Sequence, residues 1–298
     1  MAKSSGLTMC VLHGHMIRDE RIETFIHECC SEAWGFDPKV VTATEPDLLG
    51  IAENDHGQPV GMYALAIGTG VVEFLGVPSE YRRCGVGTFL ESHMVAYARR
   101  LGWKFIRTRP MLDSRNEASI AFLNSTGWKE MLGSIRMWRN LVDIPRVDTP
   151  DGCTIRPYRS GDDGEFIHIL KEAFVGAPEW TTEDLKREYL DSPHFAGDRL
   201  LFAVCDGKPV GTATAWTGHH EGREVAGLDW VAVLPTYQRR GIGRALSIQA
   251  LHFMQTHGYE EVVLDTREWL ASAVRLYHRL GFRDVFRFGI PFFKQLHT

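Results

Sequence analysis

The feature that most constrains this chain is an internal repeat. Set Gly85 on Gly241, 156 residues apart, and EFLGVPSEYRRCGVG (73–87) lies on DWVAVLPTYQRRGIG (229–243) without a gap. Val77 meets Val233, Tyr81 meets Tyr237, Arg83 meets Arg239, Gly87 meets Gly243, and Glu73 meets Asp229, acid for acid. The register runs on to Gly102 and Gly258. A second block, NEASIAFLNSTGW (116–128), lies on LASAVRLYHRLGF (270–282) at an offset of 154 residues. Two long matches in the same order mean two copies of one domain. A chain of 298 residues has room for two cores. The copies are expected at 1–145 and 152–298, joined by the Pro- and Asp-rich linker DIPRVDTPDG (143–152).

Each copy has the same coarse pattern. LLGIAEND and PVGMYALAIG read as strands in the first, LLFAVCDG and PVGTATAWTG in the second, the latter pair split by an Asp-Gly turn. A β-rich run follows, then a glycine-containing turn, then apolar residues at helical spacing: Val86, Leu90, Met94 and Leu101, or Ile242, Leu246, Ala250, Leu251 and Met254. Gly102 and Gly258 stop these helices. KFIRTRP and EEVVLDT read as strands, 270–280 as a helix ended by Gly281, and VFRFGIPFF as paired terminal strands. The expected class is α+β: in each domain a mixed, mostly antiparallel central sheet flanked by helices.

Composition removes several alternatives. An apolar fraction of 44% and a charged fraction of 24% are those of a globular protein, and a net charge of −5 argues against a nucleic-acid partner. No window holds eighteen apolar residues, so no membrane span is expected, and MAKSSGLTMC lacks an apolar signal core. The six cysteines show neither zinc spacing nor a disulfide framework, which points to a reducing, cytoplasmic setting. Cys84, inside the first glycine turn, reads as a small buried thiol. His219 and His220 have no third ligand at a useful spacing; they read as loop histidines, and no metal is expected.

A strand that runs into a glycine turn and then a helix makes an anion site. The first helical N–H groups have no internal partner, and the helix dipole adds positive character. Arg239, Arg240 and Arg244 add charge, and a pyrophosphate is the natural ligand. No G-x-x-x-x-G-K-[ST] is present, and GIGRAL lacks the third glycine of a dinucleotide fingerprint. What is present is [QR]-x-x-G-x-G, at Arg82–Gly87 and at Gln238–Gly243.

With its flanking strand and helix, and with AVRLYHRLGF about forty residues on, this pattern resembles the GNAT family of acetyl-CoA-dependent N-acetyltransferases. The resemblance covers both halves. It implies acetyl-CoA as cofactor, with the pyrophosphate held by Gln238, Arg239, Arg240, Gly241, Ile242, Gly243 and Arg244. In the first half the corresponding residues are Arg82, Arg83, Cys84, Gly85, Val86, Gly87 and Thr88. Backbone groups of Val231 and Val233, or of Leu75 and Val77, would bind the pantetheine arm. Of the family's N-x-x-A-x-x-L-Y-x-x-x-G-F helix, Ala273, Leu276, Tyr277, Gly281 and Phe282 are present, with Leu270 in place of Asn; the first half keeps Asn116 and Gly127 but has Leu123 in place of Tyr.

Acetyl transfer from a thioester to an amine is helped by a base for the amine and an acid for the departing thiol. Tyr277 occupies the family's acid position and Asp229 a common base position, so the C-terminal half is expected to be catalytic and the N-terminal half degenerate. Tyr277 has a second reading, as packing at the cofactor's edge; Glu73 reads as a carboxylate satisfied by a neighbour. The acceptor is expected to be a primary amine of a small molecule or peptide. It would be chosen by residues 160–198, with Phe174, Trp180, Asp191 and His194 as pocket candidates. The alternative is a non-catalytic protein that binds coenzyme A or its esters. Monomer and homodimer both remain open.

Overall fold

The computed structural model describes residues 6–13, 24–25, 29, 47–174, 181–192 and 197–296. In chain order the first half gives β1 (Thr8–His13), β2 (Leu48–Glu53), β3 (Pro59–Ala66), β4 (Val71–Gly76), α1 (Val86–Arg100), β5 (Phe105–Thr108), α2 (Glu117–Ser125), β6 (Lys129–Glu130) and β7 (Ser134–Asn140). The second gives β8 (Cys153–Pro157), α3 (Asp163–Ala173), a short α4 (Thr182–Leu185), β9 (Leu200–Cys205), β10 (Lys208–His220), β11 (Arg223–Val233), α5 (Ile242–Thr256), β12 (Glu261–Arg267), α6 (Ala271–Arg279), β13 (Arg283–Phe288) and β14 (Phe292–Gln295).

These strands form two seven-stranded sheets, ordered β1-β2-β3-β4-β5-β14-β6 and β13-β7-β12-β11-β10-β9-β8. Both are mixed, as expected. Antiparallel hairpins run up to β4 or β11, which then pairs in parallel with β5 or β12. Each sheet is covered by its glycine-led helix. Leu90 and Met94 of α1 are buried with Leu48, Tyr63 and Ile106; Leu246 and Leu251 of α5 are buried with Leu228 and Val262. On the opposite face of the second sheet, Phe166, Ile169 and Leu170 of α3 pack with Phe202 and Ala232. Stripes of buried residues on both faces explain why β2 and β9 are apolar throughout rather than alternating.

The ends of the repeats depart from the sequence expectation. VFRFGIPFF does form two strands, but they do not pair with each other: β14 lies between β5 and β6, while β13 lies beside β7. Likewise β7, from the first half, sits between β12 and β13. The compact units are therefore Met1–Ser134 with Phe286–Thr298 (unit 1) and Ile135–Val285 (unit 2), rather than the contiguous segments 1–145 and 152–298. Periodicity gives a strand its type but not its neighbour, and a terminal strand fits either copy of a duplicated sheet. The 143–152 segment belongs to unit 2, where Pro145 O meets His252 Nε2 at 2.9 Å and Leu141 O accepts from Gln255 Nε2 at 2.6 Å.

Two cysteine expectations are corrected. Cys153 and Cys205 form a disulfide. They stand 52 residues apart with no diagnostic spacing, and only the antiparallel register of β8 on β9 sets them opposite one another. Cys84 is exposed rather than buried, because the turn that carries it projects its side chains outward. His219 and His220 end β10 rather than occupying a loop, paired with Glu224 and Arg223. Among the described residues no three His, Cys, Asp or Glu side chains group as a metal site, and no helix is long and apolar enough to cross a membrane.

Phe292 tests the strand crossing. It is fully buried in the core of unit 1, although it lies in the sequence of the second repeat. Phe292→Ala should cost about 3–5 kcal/mol in chemical denaturation. Hydrogen exchange should localise the loss to β5 and β6 of unit 1, with the β9–β11 amides of unit 2 unaffected.

Candidate active site

The second repeat's motif forms a tight turn between β11 and α5. Pro235–Tyr237 make one turn of 3-10 helix, Gln238 is extended, Arg239 has φ 65° and Gly241 has φ 86°. A positive φ at the N-cap is why position 241 is glycine. Gly241 carries no side-chain cap, so the leading N–H groups of α5 are free to face an anion. At Gly243 a Cβ would make only ordinary contacts, 3.7 Å from Val233 and 3.9 Å from Leu276, so space within the protein alone does not require glycine there. The first repeat reproduces this turn, with Arg83 at φ 64° and Gly85 at φ 88°.

The variable first residue of the motif has a structural task. Gln238 Nε2 donates to Val233 O at 3.0 Å, and Arg82 Nε donates to Val77 O at 2.8 Å. A side-chain N–H of the right reach is what Gln and Arg share. Each ties the turn to the last residue or the residue after the end of the strand, so Gln238 and Arg82 hold the turn in shape at the head of the helix. Arg240 folds back onto Thr236 O (3.0 Å) and over the Tyr237 ring. Ile242 and Val86 point into the cores, so only their backbone can face a ligand. Arg239 and Arg244, like Arg83, Cys84 and Thr88, are exposed at the turn, while Gly87 packs near Phe122.

Beside the turn, the parallel pairs open. β11 pairs with β12 at Ala226–Val262 and Gly227–Val263, and β4 with β5 at Val71–Arg107 and Val72–Thr108. Beyond these pairs Asp229–Val233 and Glu73–Val77 have no ladder partner on that edge among the described residues. Val231 and Val233, and Leu75 and Val77, are half-buried along these edges. An extended arm can bind there as a strand is added to a sheet. At the mouth of the opening in unit 2 the chain bulges. Thr212 is opposite Ala232 and Thr214 opposite Asp229, so β11 carries one residue more than β10, and Trp230 has φ 49°. That conformation is costly for a bulky residue and concentrates at functional sites. The Trp230 ring packs edge to face on Phe174, which places one pocket candidate beside Asp229. Asp191 is exposed, and Trp180 and His194 lie outside the described residues.

The two units differ in charge at this point. In unit 1, Glu73 is buried and ion-paired with Arg109. In unit 2 the residue 36 positions on, the place Arg109 takes relative to Glu73, is Asp265, so the neighbour's sign is reversed. Burial raises the Asp229 carboxyl to about 6, the charge of Asp265 raises it too, and Arg136 opposes both. Tyr277, on α6, is buried against Phe282, and burial together with the Asp229 charge pushes its hydroxyl well above the usual phenol range. It is therefore protonated at neutral pH, the form an acid needs. Leu123, also buried, stands in the corresponding place of unit 1. At the helix start Asn116 caps α2 by accepting from Ser119 N at 3.2 Å, a contact that Leu270 does not make for α6.

Unit 2 thus brings an uncapped helix N-terminus, a strand edge open beside it, and the buried Asp229 and Tyr277 to one place. The sequence profile of the Acetyltransferase (GNAT) family matches residues 16–128 and 165–282. The chain belongs to that family, as a tandem protein with two GNAT domains, and is an acetyltransferase. It is 30% identical over 256 residues to a mycothiol acetyltransferase of Acidothermus cellulolyticus, covering 80% of this chain and 74% of the relative. Identity to a mycothiol acetyltransferase of Geodermatophilus obscurus is 31%, covering 82% and 78%. In fold it resembles a GCN5-related N-acetyltransferase from Sphaerobacter thermophilus (TM-score 0.56, 20% identity, 97% and 96% covered). A tandem GNAT protein from the clavulanic acid biosynthesis pathway is similar to the same degree (TM-score 0.55, 17%, 98% and 99%).

Two charged groups escaped the sequence reading. Asp265 was within reach of it: carrying the 156-residue offset from Arg109 into the next strand exposes the reversed charge. Arg136 was not, because it comes from the other repeat.

The raised Asp229 carboxyl has a stability signature. An acid whose folded value lies above its unfolded value of about 4 destabilises the fold once the pH is high enough to charge it. The cost should develop between about pH 4 and 6 and reach about 3 kcal/mol. Asp229→Asn should match the parent near pH 4 and exceed it in thermal stability at pH 8, as differential scanning calorimetry will show.

Proposed function

We propose that unit 2 transfers an acetyl group from acetyl-CoA to a primary amine of a small molecule or peptide, by direct attack in a ternary complex. What carries the reading is the contrast at one register position: Asp229 faces a second carboxylate while Glu73 is neutralised by Arg109. A base held near 6 is charged at neutral pH yet takes a proton readily. The backbone of the Gln238–Arg244 turn and the open edge of β11 fit a diphosphate and its extended arm, and acetyl-CoA would supply the thioester carbonyl at the end of that arm. Asp229 takes the proton of the bound ammonium, freeing the nitrogen lone pair to form the new C–N bond. As the C–S bond breaks, Tyr277 gives its hydroxyl proton to the departing thiolate, and the phenolate so formed takes the second proton from the nitrogen of the new amide, which restores Tyr277. Because relatives carry the name mycothiol acetyltransferase, mycothiol chemistry belongs among the acceptors to test.

Thiol release from acetyl-CoA with a panel of amines tests this. Turnover should fall away below about pH 6 as Asp229 is protonated. Tyr277→Phe should lower kcat by about 10²–10⁴-fold with the fold intact. Gly241→Glu should abolish turnover, and Gly85→Glu should leave it. Leu270, which leaves α6 without the cap that Asn116 gives α2, favours a second reading: a binder of coenzyme A esters that does not turn over. Calorimetric binding of acetyl-CoA with no thiol release across the panel would support that reading instead.

A further inference from the structure

Arg136 and Asp265 form the best-defined charged contact near Asp229. Arg136 Nε donates to Asp265 Oδ1 at 2.8 Å and its Nη2 to Oδ2 at 2.6 Å, a two-point pairing that fixes both side chains. The third nitrogen, Nη1, donates to the carbonyl of His219 at 3.2 Å, near the end of β10. The pair therefore spans β7, β12 and β10, with β11 between the last two. Asp265 is 39% and Arg136 29% exposed, an open position for an ion pair with only a structural purpose, since such pairs add little stability.

Three observations connect this pair to Asp229. First, the paired residues of β11 and β12 stand 36 positions apart, 226–262 and 227–263, which is also the separation of Asp229 and Asp265, so the two carboxylates lie on adjacent strands just past the last pair. Second, unit 1 has the same register, 71–107 and 72–108, and its corresponding position is Arg109, which closes directly on Glu73. Third, no hydrogen bond or ion pair holds Asp229 itself among the described residues. Arg136 reaches past it to Asp265. The ionisable groups that act on Asp229 are Asp265 from β12 and Arg136 from β7; Tyr277 on α6 feels the Asp229 charge in turn, while β10 presents the uncharged Thr214 opposite.

We propose that Asp265 and Arg136 are positioning residues for Asp229, and that together they fix the pH range over which this carboxylate accepts a proton from the acceptor amine. The inference rests on the reading of unit 2 as the transferring site. Asp265 presses the base toward its protonated form, and Arg136 limits that pressure by holding Asp265 in a two-point grip. Arg136 also leaves Asp229 free of a direct cation, the arrangement that ties up Glu73 in unit 1. The repeat that gives up its own base thus supplies the strand that governs the base of the other.

Single substitutions should move the titration of Asp229 in opposite directions. Asp265→Asn removes the like charge and should shift the acid limb of kcat/KM down by about one pH unit; Arg136→Gln leaves Asp265 uncompensated and should shift it up by a similar amount. The double variant should return close to the parent. A structural role would lower kcat in all three without displacing the limb. The same titration is read without turnover from the stability gap between each variant and its Asp229→Asn derivative, followed by calorimetry from pH 4 to 8. Opposite displacements of this gap support the proposal even if no amine is acetylated, in which case the acetyl-transfer reading alone fails. Displacements in the same direction, or none, in both measurements overturn it.

Discussion

Beyond Gly227 the strand β11 loses its neighbour, and much of the site follows from that. A sheet interior normally pairs every backbone N–H and C=O, and groups left unpaired in a buried place are expensive. Here five consecutive residues, Asp229 to Val233, run on with one edge open and lead into a turn whose helix also begins with unpaired N–H groups. A ligand that is extended at one end and doubly anionic at the other satisfies both deficits. The bulge at Trp230 belongs to the same design: it is strained, it re-aims consecutive side chains, and it stands where the edge opens.

The two units show how a duplicated site diverges while its scaffold stays. The turn is conserved to within a few degrees, Gly85 at 88° and Gly241 at 86°, and the tether from the motif's first residue to the strand is kept with different chemistry, Arg in one and Gln in the other. What changes is electrostatic. One residue on a neighbouring strand, Arg109 or Asp265, decides whether the carboxylate beside it is paired or left basic. Unit 1 also has a cavity of about 590 Å³ lined by Glu73, Arg109, Met111 and Met131, so the ion pair sits in an open cleft.

Much of the fold was legible in the sequence because local chemistry dictates it. Glycines at positive φ after helices, apolar residues at helical spacing, and a motif repeated at a constant offset each depend on a few adjacent residues. What stayed hidden depends on pairing across the sheets. The Cys153–Cys205 bond, the separation of β13 from β14 and the arrival of Arg136 at unit 2 are all set by which strand lies beside which. A duplicated chain is ambiguous on that point, since each terminal strand meets two similar edges. Asp229 and Tyr277 could be picked out from the repeat alone, whereas the charges around Asp229 could not, because Asp265 and Arg136 reach it through strand order.

The placement of β14 bears on how the molecule is made. Synthesis runs from the N-terminus, and domains generally fold as they emerge. Unit 1 cannot do so, because the strand that fills the gap between β5 and β6 is drawn from residues 286–298. While the second repeat is still on the ribosome, the nascent first repeat waits with β5 and β6 unbridged and the seat of Phe292 empty. Unit 1 is completed only once the second repeat has been made through β14.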